Sequence, residues 1–201
     1  MNGTMQADAP LEELLAACKA GDQAAYAALY ERYAAGLYRL AYSILLDAQD
    51  AEDVLQEAFI YAFRNLDHFD PTRGEFRTWL YTITVSRCRN MRRRKLLPTI
   101  DLSNLLALGQ EPPGPHRETP EAALARSQVR DALGRALAAL SPRLREAVAL
   151  RYGQGLTFRE MAEVLDCPPK TAESRIRLAH EALSRALGPS GAVLLEELWS
   201  F

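Results

Sequence analysis

Five carboxylate side chains fall within eleven residues that contain no lysine or arginine. They are Asp47, Asp50, Glu52, Asp53 and Glu57. Paired carboxylates can serve as a catalytic acid and base, but such a site also needs a histidine, lysine or metal-ligand partner, and none accompanies these. The pattern therefore favours a binding surface over a catalytic centre.

Six cationic side chains follow about one helical hairpin later, in a stretch that contains no aspartate or glutamate. They are Arg87, Arg89, Arg92, Arg93, Arg94 and Lys95. Surfaces of opposite sign at this separation indicate a part that holds a protein with one side and a polyanion with the other.

Other residue types exclude several classes of protein. Cys18, Cys88 and Cys167 form no Cys-x-x-Cys motif and have no histidine pair nearby, so neither a disulfide framework nor a zinc site is predicted. The chain also lacks a phosphate-binding loop and a nucleophile–base set. We therefore expect no metal, no cofactor and no enzymatic activity.

The composition is that of a globular chain of one domain or two small ones, with 201 residues of which 48% are hydrophobic. A net charge of −2 and a pI near 6.0 argue against indiscriminate nucleic-acid binding, so any DNA contact must come from local patches. No apolar run approaches the roughly 18 residues of a spanning helix. We expect a cytoplasmic protein with no membrane contact of its own.

Helical periodicity predicts four helices in residues 1–95, which form the first predicted domain. Leu11–Ala20 is a short helix, and apolar side chains recur at helical spacing from Tyr26 to Ile44 on a long second one. Asp50 is expected to cap a third, amphipathic helix. The next loop and the fourth helix are predicted at Asp67–Gly74 and Glu75–Lys95.

Residues 96–120 hold five of the eleven prolines and are predicted to be a flexible linker. A second helical domain is predicted over residues 121–187. Its helices are expected from Thr119 to about Ala139, from Ser141 to Gly153, from Thr157 to Leu165, and on to Leu187, where Gly188-Pro189 should stop the last one. The fold class is therefore all-α, with two small domains.

The second domain contains the pattern of a helix-turn-helix. Thr157 and Glu160 form a capping box for a short helix, a turn follows, and the last helix is longer. Its spacing turns Ala172, Ile176, Ala179 and Leu183 inward. A helical hairpin with a solvated charged face fits the same helix lengths equally well.

Together the two halves resemble the extracytoplasmic-function (ECF) sigma factors, a class of bacterial transcription initiation factors. The resemblance rests on DAEDVLQEAFIYAF, GEFRTWLYTI and GLTFREMAEVLDCPPKTAESRIRLAHEAL, which follow the order and spacing of the family's motifs. It implies a protein that directs core RNA polymerase to specific promoters and helps to melt them. An autonomous helix-turn-helix regulator is the alternative.

The resemblance also implies roles for individual residues. The face for core polymerase would comprise Asp50, Asp53, Gln56 and Glu57. The reader of the melted minus-ten element would comprise Arg77, Thr78, Tyr81, Ser86, Arg87, Arg89, Asn90, Arg93 and Arg94. The reader of the minus-thirty-five element would comprise Lys170, Thr171, Glu173, Ser174, Arg175 and Arg177.

Some residues depart from the family's pattern. Ser86 stands where asparagine is common, and a hydroxyl cannot present an amide's donor and acceptor together. Glu173 and Leu178 stand where basic residues are usual. The spacing of Trp79 favours the core over stacking on DNA.

Two features concern further partners. The resemblance implies an anti-sigma factor. The C-terminal extension over residues 188–201 ends in the apolar segment Ala192–Phe201, which should dock on this chain as a latch, dock on a partner, or complete the second domain's core.

Overall fold

The computed structural model describes residues 9–96 and 132–199, with side chains described for residues 9–95 and 132–187. The chain divides into two compact units. Every regular element in the described ranges is helical, which confirms the all-α, two-domain prediction. Apart from Leu96, the predicted linker lies outside these ranges, and so does the predicted helix start at Thr119.

The first unit contains four α-helices in its described residues. They are α1 (Leu11–Lys19), α2 (Gln23–Leu45), α3 (Ala48–Arg64) and α4 (Phe76–Leu96), with a 3-10 turn at Leu66–His68. Helices α2, α3 and α4 each pack against the other two, and α1 packs against α2. The helical stripe of α2 turns Leu37, Leu40 and Ile44 inward into the core, where none is more than 1% exposed.

The N-terminus of α3 corrects one prediction. Asp47, and not Asp50, is the N-cap, since its carboxylate accepts a hydrogen bond of 2.9 Å from the backbone N–H of Asp50. The helix begins at Ala48, so Asp50 lies inside its first turn. The prediction was wrong because the sequence places both aspartates where a carboxylate could accept from the free amides at the start of α3. The backbone at Leu46, with a φ of +58°, determines that Asp47 is the N-cap.

An aromatic cluster joins the loop before α4 to that helix. The ring of Trp79 packs against Phe69 and Phe76, with centroids 5.5 and 5.6 Å apart. Phe76 is buried and Trp79 half-buried. Trp79 therefore serves the packing of the loop, as its spacing predicts.

The second unit begins, in its described part, with a helix over residues 132–139, which we call α5. It continues with α6 (Pro142–Val148), a π-helical turn at Ala149–Gly153, α7 (Phe158–Leu165) and α8 (Pro169–Trp199). The predicted helix from Ser141 to Gly153 is continuous, but its last turn widens to π geometry, which the sequence did not signal. A core of Ala136, Leu140, Ala179 and Leu183 joins α5 to α8.

The end of α8 corrects a second prediction. The helix does not stop before Gly188-Pro189 but runs on to Trp199. A proline inside a helix removes one hydrogen bond and costs about 3 kcal/mol, which weakens a helix without forbidding it. The side chains of residues 188–199 lie outside the described part, and the predicted docking of Ala192–Phe201 falls there.

Candidate protein and nucleic-acid interfaces

The acidic surface is built on the outward side of α3. Asp53 and Gln56 are exposed and Glu57 is partly exposed, as expected for residues that face away from Val54 and Ala58 in the core. Asp50 differs, because only 9% of this residue is exposed. The predicted polymerase face thus consists of three accessible side chains and one that is largely covered.

The covering group is a cation from α4. Nζ of Lys95 lies 2.5 Å from Oδ2 of Asp50, and Nη1 of Arg94 lies 3.0 Å from Oε1 of Glu57. The two surfaces of opposite sign are therefore not separate, but meet in two ion pairs between α3 and α4. These pairs could not be predicted from either charged run by itself, because they depend on how α3 and α4 pack.

A third contact crosses the same helix pair. The guanidinium of Arg87 lies over the ring of Tyr61, 4.6 Å from its centroid. Tyr61 is 42% exposed, so this cation–π contact is at the surface. Three of the cations of α4 are therefore held against side chains of α3.

The predicted minus-ten residues divide by burial. Thr78 and Tyr81 are each 6% exposed, and burial raises the pKa of the Tyr81 phenol, with partial opposition from Arg77 and Arg39. The remaining residues of the set reach the surface along the second half of α4 or, for Arg77, on its first turn. These are Arg77, Ser86, Arg87, Arg89, Asn90, Arg93 and Arg94.

Local contacts organise the surface before and along α4. The carboxylate of Asp70 accepts hydrogen bonds from the hydroxyl and N–H of Thr72, at 2.7 and 2.9 Å, and these bonds lower its pKa. Arg93 donates to the side-chain oxygen of Asn90 one turn earlier. Such contacts fix side-chain positions on a face rich in cations.

The helix-turn-helix is present with its predicted capping box. The N–H of Thr157 donates to Glu160 at 2.7 Å, and the N–H of Glu160 donates to the Thr157 hydroxyl at 3.3 Å. Asp166 ends α7 with a φ of +51°, a left-handed conformation that aspartate tolerates better than most residues. This turn directs the chain into α8.

Helix α8 separates a buried side from an outward side, as predicted. Ala172, Ile176, Ala179 and Leu183 are buried. Lys170, Glu173 and Arg177 are exposed, and Thr171, Ser174 and Arg175 are intermediate. All six predicted minus-thirty-five residues thus reach the surface, although Arg177 pairs with Glu181 at 2.6 Å.

Two further groups on α8 border this surface. Leu178 is 44% exposed and shares the helical face of Ser174 and Thr171. On the other flank, the hydroxyl of Tyr152 and Nε2 of His180 form a hydrogen bond of 2.6 Å. Burial lowers the pKa of His180 and raises that of Tyr152.

Three further observations concern the described residues. Among them there is no group of three or more His, Cys, Asp or Glu side chains placed to hold a metal ion. The cysteines Cys18, Cys88 and Cys167 carry free thiols. In the same part of the chain, no helix combines the length and apolarity needed to span a membrane.

Two family models match the chain in order. Sigma-70 region 2 matches residues 29–96, and sigma-70 region 4 matches residues 130–183. The first match covers most of the α2–α4 bundle with its acidic and basic surfaces, and the second covers the helix-turn-helix.

Curated relatives extend this similarity over most of the chain. The RNA polymerase sigma-H factor of Pseudomonas aeruginosa is 33% identical over 197 residues, covering 89% of this chain and 94% of that protein. The ECF RNA polymerase sigma-E factor of Escherichia coli K12 is 36% identical over 175 residues, covering 84% and 90%.

Solved structures show the same fold. CnrH, in complex with the cytosolic domain of CnrY, is 30% identical with a TM-score of 0.61, and the match covers 90% of this chain and 97% of that one. The sigma factor RpoE, in complex with the anti-sigma factor NepR from Bartonella quintana, shares the fold at 22% identity and a TM-score of 0.63, with 79% and 93% covered.

The chain belongs to the ECF class of the sigma-70 family of RNA polymerase sigma factors. As such it directs core RNA polymerase to promoters. The ordered match of regions 2 and 4 does not favour the alternative of an autonomous helix-turn-helix regulator, which has no need of region 2.

Proposed function

We propose that three helix faces divide the work of promoter recognition: α3 holds core polymerase, α4 binds the melted minus-ten strand, and α8 reads the minus-thirty-five element. The ordered match of regions 2 and 4 to this chain carries the proposal. The protein contributes binding and positioning and no covalent chemistry, and it acts in the cytoplasm.

The polymerase face is proposed to be Asp53, Gln56 and Glu57, with Asp50 at its edge. An acidic, exposed helix face suits a basic partner surface, where charge complementarity sets specificity and the rate of encounter. Asp53→Arg should lower the affinity for core enzyme at least tenfold, since it places like charges together. Glu12→Arg, an equal charge change at an exposed position of α1, is the matched control and should leave that affinity unchanged.

The minus-ten face is proposed to lie on the accessible side of α4, with Ser86 and Asn90 near bases and arginines along the backbone. Unpaired strands are bound by cations that follow the phosphates. Because Thr78 and Tyr81 are buried, we propose that they support this face from beneath. Arg93→Ala in the holoenzyme should reduce the salt slope of promoter binding by about one, as expected for one lost phosphate contact. Lys19→Ala on α1 is the control and should leave the salt slope of promoter binding unchanged.

The minus-thirty-five face is proposed to be the outward side of α8. Lys170, Arg175 and Arg177 suit phosphates, and Thr171 and Ser174 suit base edges or phosphates. Glu173 can accept from a cytosine amino group while it repels phosphates. Glu173→Gln should therefore raise general DNA affinity and relax the preference at one base pair, in a competition of promoter variants.

We also propose that an anti-sigma factor restrains this protein. CnrH, which matches nearly the whole chain, has been solved in complex with the cytosolic domain of a second protein.

Transcription in vitro with purified core enzyme and a pool of genomic promoters tests the overall proposal. Initiation from a defined subset of those promoters supports the proposal. It would be refuted if the free chain bound promoter DNA with the same specificity as the chain in complex with core enzyme.

A further inference from the structure

The two ion pairs between α3 and α4 join the proposed polymerase face to the cationic end of α4, where the proposed function assigns Arg94 to promoter DNA and Lys95 is its neighbour. Glu57 and Asp50 belong to the proposed polymerase face, whereas Arg94 and Lys95 belong to the cationic end of α4. The side chain of Asp50 is only 13% exposed and that of Glu57 is 34% exposed, whereas Lys95 and Arg94 are 49% and 61% exposed and remain within reach of a second partner.

Stability alone gives a weak reason for these contacts. Surface ion pairs contribute little to folding, because solvent and salt screen them. The cations would also be favourable at the C-terminal end of α4 without any carboxylate nearby, since that end of a helix is negative. The pairs are more consequential for binding, because a group held by its neighbour is not available to a partner.

We propose that the pairs Glu57–Arg94 and Asp50–Lys95 couple polymerase binding to DNA binding. In the free chain the carboxylates hold the two cations and weaken their attraction for DNA phosphates. When a basic surface of polymerase takes the carboxylates, Arg94 and Lys95 are released towards the promoter strand. This inference rests on the proposed function and adds a regulatory contact to it.

Coupling between two binding sites is reciprocal. Whatever factor polymerase adds to the affinity for DNA, DNA must add to the affinity for polymerase. From the usual strength of partly exposed ion pairs, we expect a factor of about three to ten for the two pairs together. That range is small enough to require matched controls and large enough to measure.

The first test uses the full chain without polymerase and a fluorescein-labelled single-stranded DNA, with anisotropy followed across a range of salt. Glu57→Gln, alone and with Asp50→Asn, should tighten binding about threefold to tenfold and steepen the salt slope by roughly one unit per released cation. Glu52→Gln removes an equal charge from an exposed position of the same helix and should change the affinity less than twofold.

Adding Arg94→Gln and Lys95→Gln to the Glu57→Gln chain should abolish the gain. The coupling is refuted if Glu52→Gln gives the same gain as Glu57→Gln, because net charge would then explain it, or if the gain survives loss of both cations. If Asp50→Asn prevents folding, as judged by far-UV circular dichroism, the Glu57→Gln chain alone still tests the coupling through the Glu57–Arg94 pair.

A second test separates this inference from the proposed function. Arg94→Gln should raise the affinity for core polymerase in the absence of DNA, since it leaves Glu57 free for the partner, whereas a contact that only stabilised the fold would lower it. If the unmodified chain does not bind core enzyme at all, the proposed function fails. If it binds but neither test shows the expected gain, only the coupling fails.

Discussion

Loss of the Arg145 side chain, on α6, should weaken the second unit by removing hydrogen bonds to backbone carbonyls. Its guanidinium donates to the carbonyl oxygens of Leu137 and Leu140 at 2.9 and 3.1 Å, both partly buried, and to that of Ala138 at 2.9 Å at the surface. These carbonyls lie at or just beyond the C-terminal end of α5, where a helix has no further N–H donors of its own to offer. The carbonyl of Leu137 also accepts from the N–H of Leu140.

The expected cost follows from those three bonds. Each partly buried bond contributes about 1 kcal/mol net, and the exposed one contributes little because water replaces it. Arg145→Ala should therefore lower the free energy of unfolding of the second unit by about 2 kcal/mol. The free energy of unfolding of the Arg145→Lys chain should fall between those of the unmodified chain and the Arg145→Ala chain. An ammonium group keeps the charge but not the planar guanidinium that reaches several carbonyls.

Native-state hydrogen exchange of the full chain measures the free energy of unfolding of each unit separately. The amides of the buried residues Leu150 and Leu183 should report on the second unit, and that of buried Leu37 on the first, whose protection should not change. Arg143→Ala, at an exposed position on the same helix, is the matched control. Equal loss of protection in the Arg143→Ala and Arg145→Ala chains would refute the reasoning, since charge and helix propensity alone would then account for it.

Three further predictions concern other parts of the chain. Leu178→Arg should tighten minus-thirty-five binding by the holoenzyme several-fold and raise the salt slope by about one, since it adds a cation to the α8 face; an unchanged slope would place Leu178 away from DNA. Burial lowers the pKa of His180 from 6.5, so the unfolded chain binds more protons, and the free energy of unfolding should fall as the pH drops below about that value. Urea unfolding at several pH values should show this dependence reduced in His180→Gln and retained in His68→Gln. Burial raises the pKa of Cys18 to about 11, so the half-buried Cys167 should react first with a thiol reagent and Cys18 only on unfolding.

Helix faces were predictable because burial repeats with the period of the helix. The stripe of Leu37, Leu40 and Ile44 on α2 follows from spacing alone, and so do Ile176 and Leu183 on α8. The capping box on α7 was predictable for a related reason, since both of its partners lie within one turn of sequence. Local rules therefore gave the elements and their orientation.

Features that depend on competition between neighbours were not predictable in this way. Asp47 and Asp50 both have the chemistry of an N-cap, and the backbone after Leu46 decides between them. Gly188-Pro189 has the chemistry of a helix stop, yet α8 continues through it. Arg145 gave no signal at all, because its acceptors are backbone atoms, which are the same for every sequence.

The ion pairs between α3 and α4 were predictable in part, because the positions of the charges follow local rules but their pairing depends on the packing of the helices. Tyr61, late in α3, lies against Arg87, whereas Asp50, at its start, lies against Lys95 at the end of α4, so the two helices run antiparallel. Carboxylates are favourable at the start of a helix and cations at its end. In an antiparallel pair these two preferences place the opposite charges side by side. The helix-end rule accounts for the pair of Asp50 with Lys95, whereas Glu57, near the middle of α3, meets Arg94 because the two helices pack antiparallel. Under the proposed function, a partner of the acidic end competes with the cations beside it, and the proposed linkage between the two surfaces then follows from this antiparallel packing.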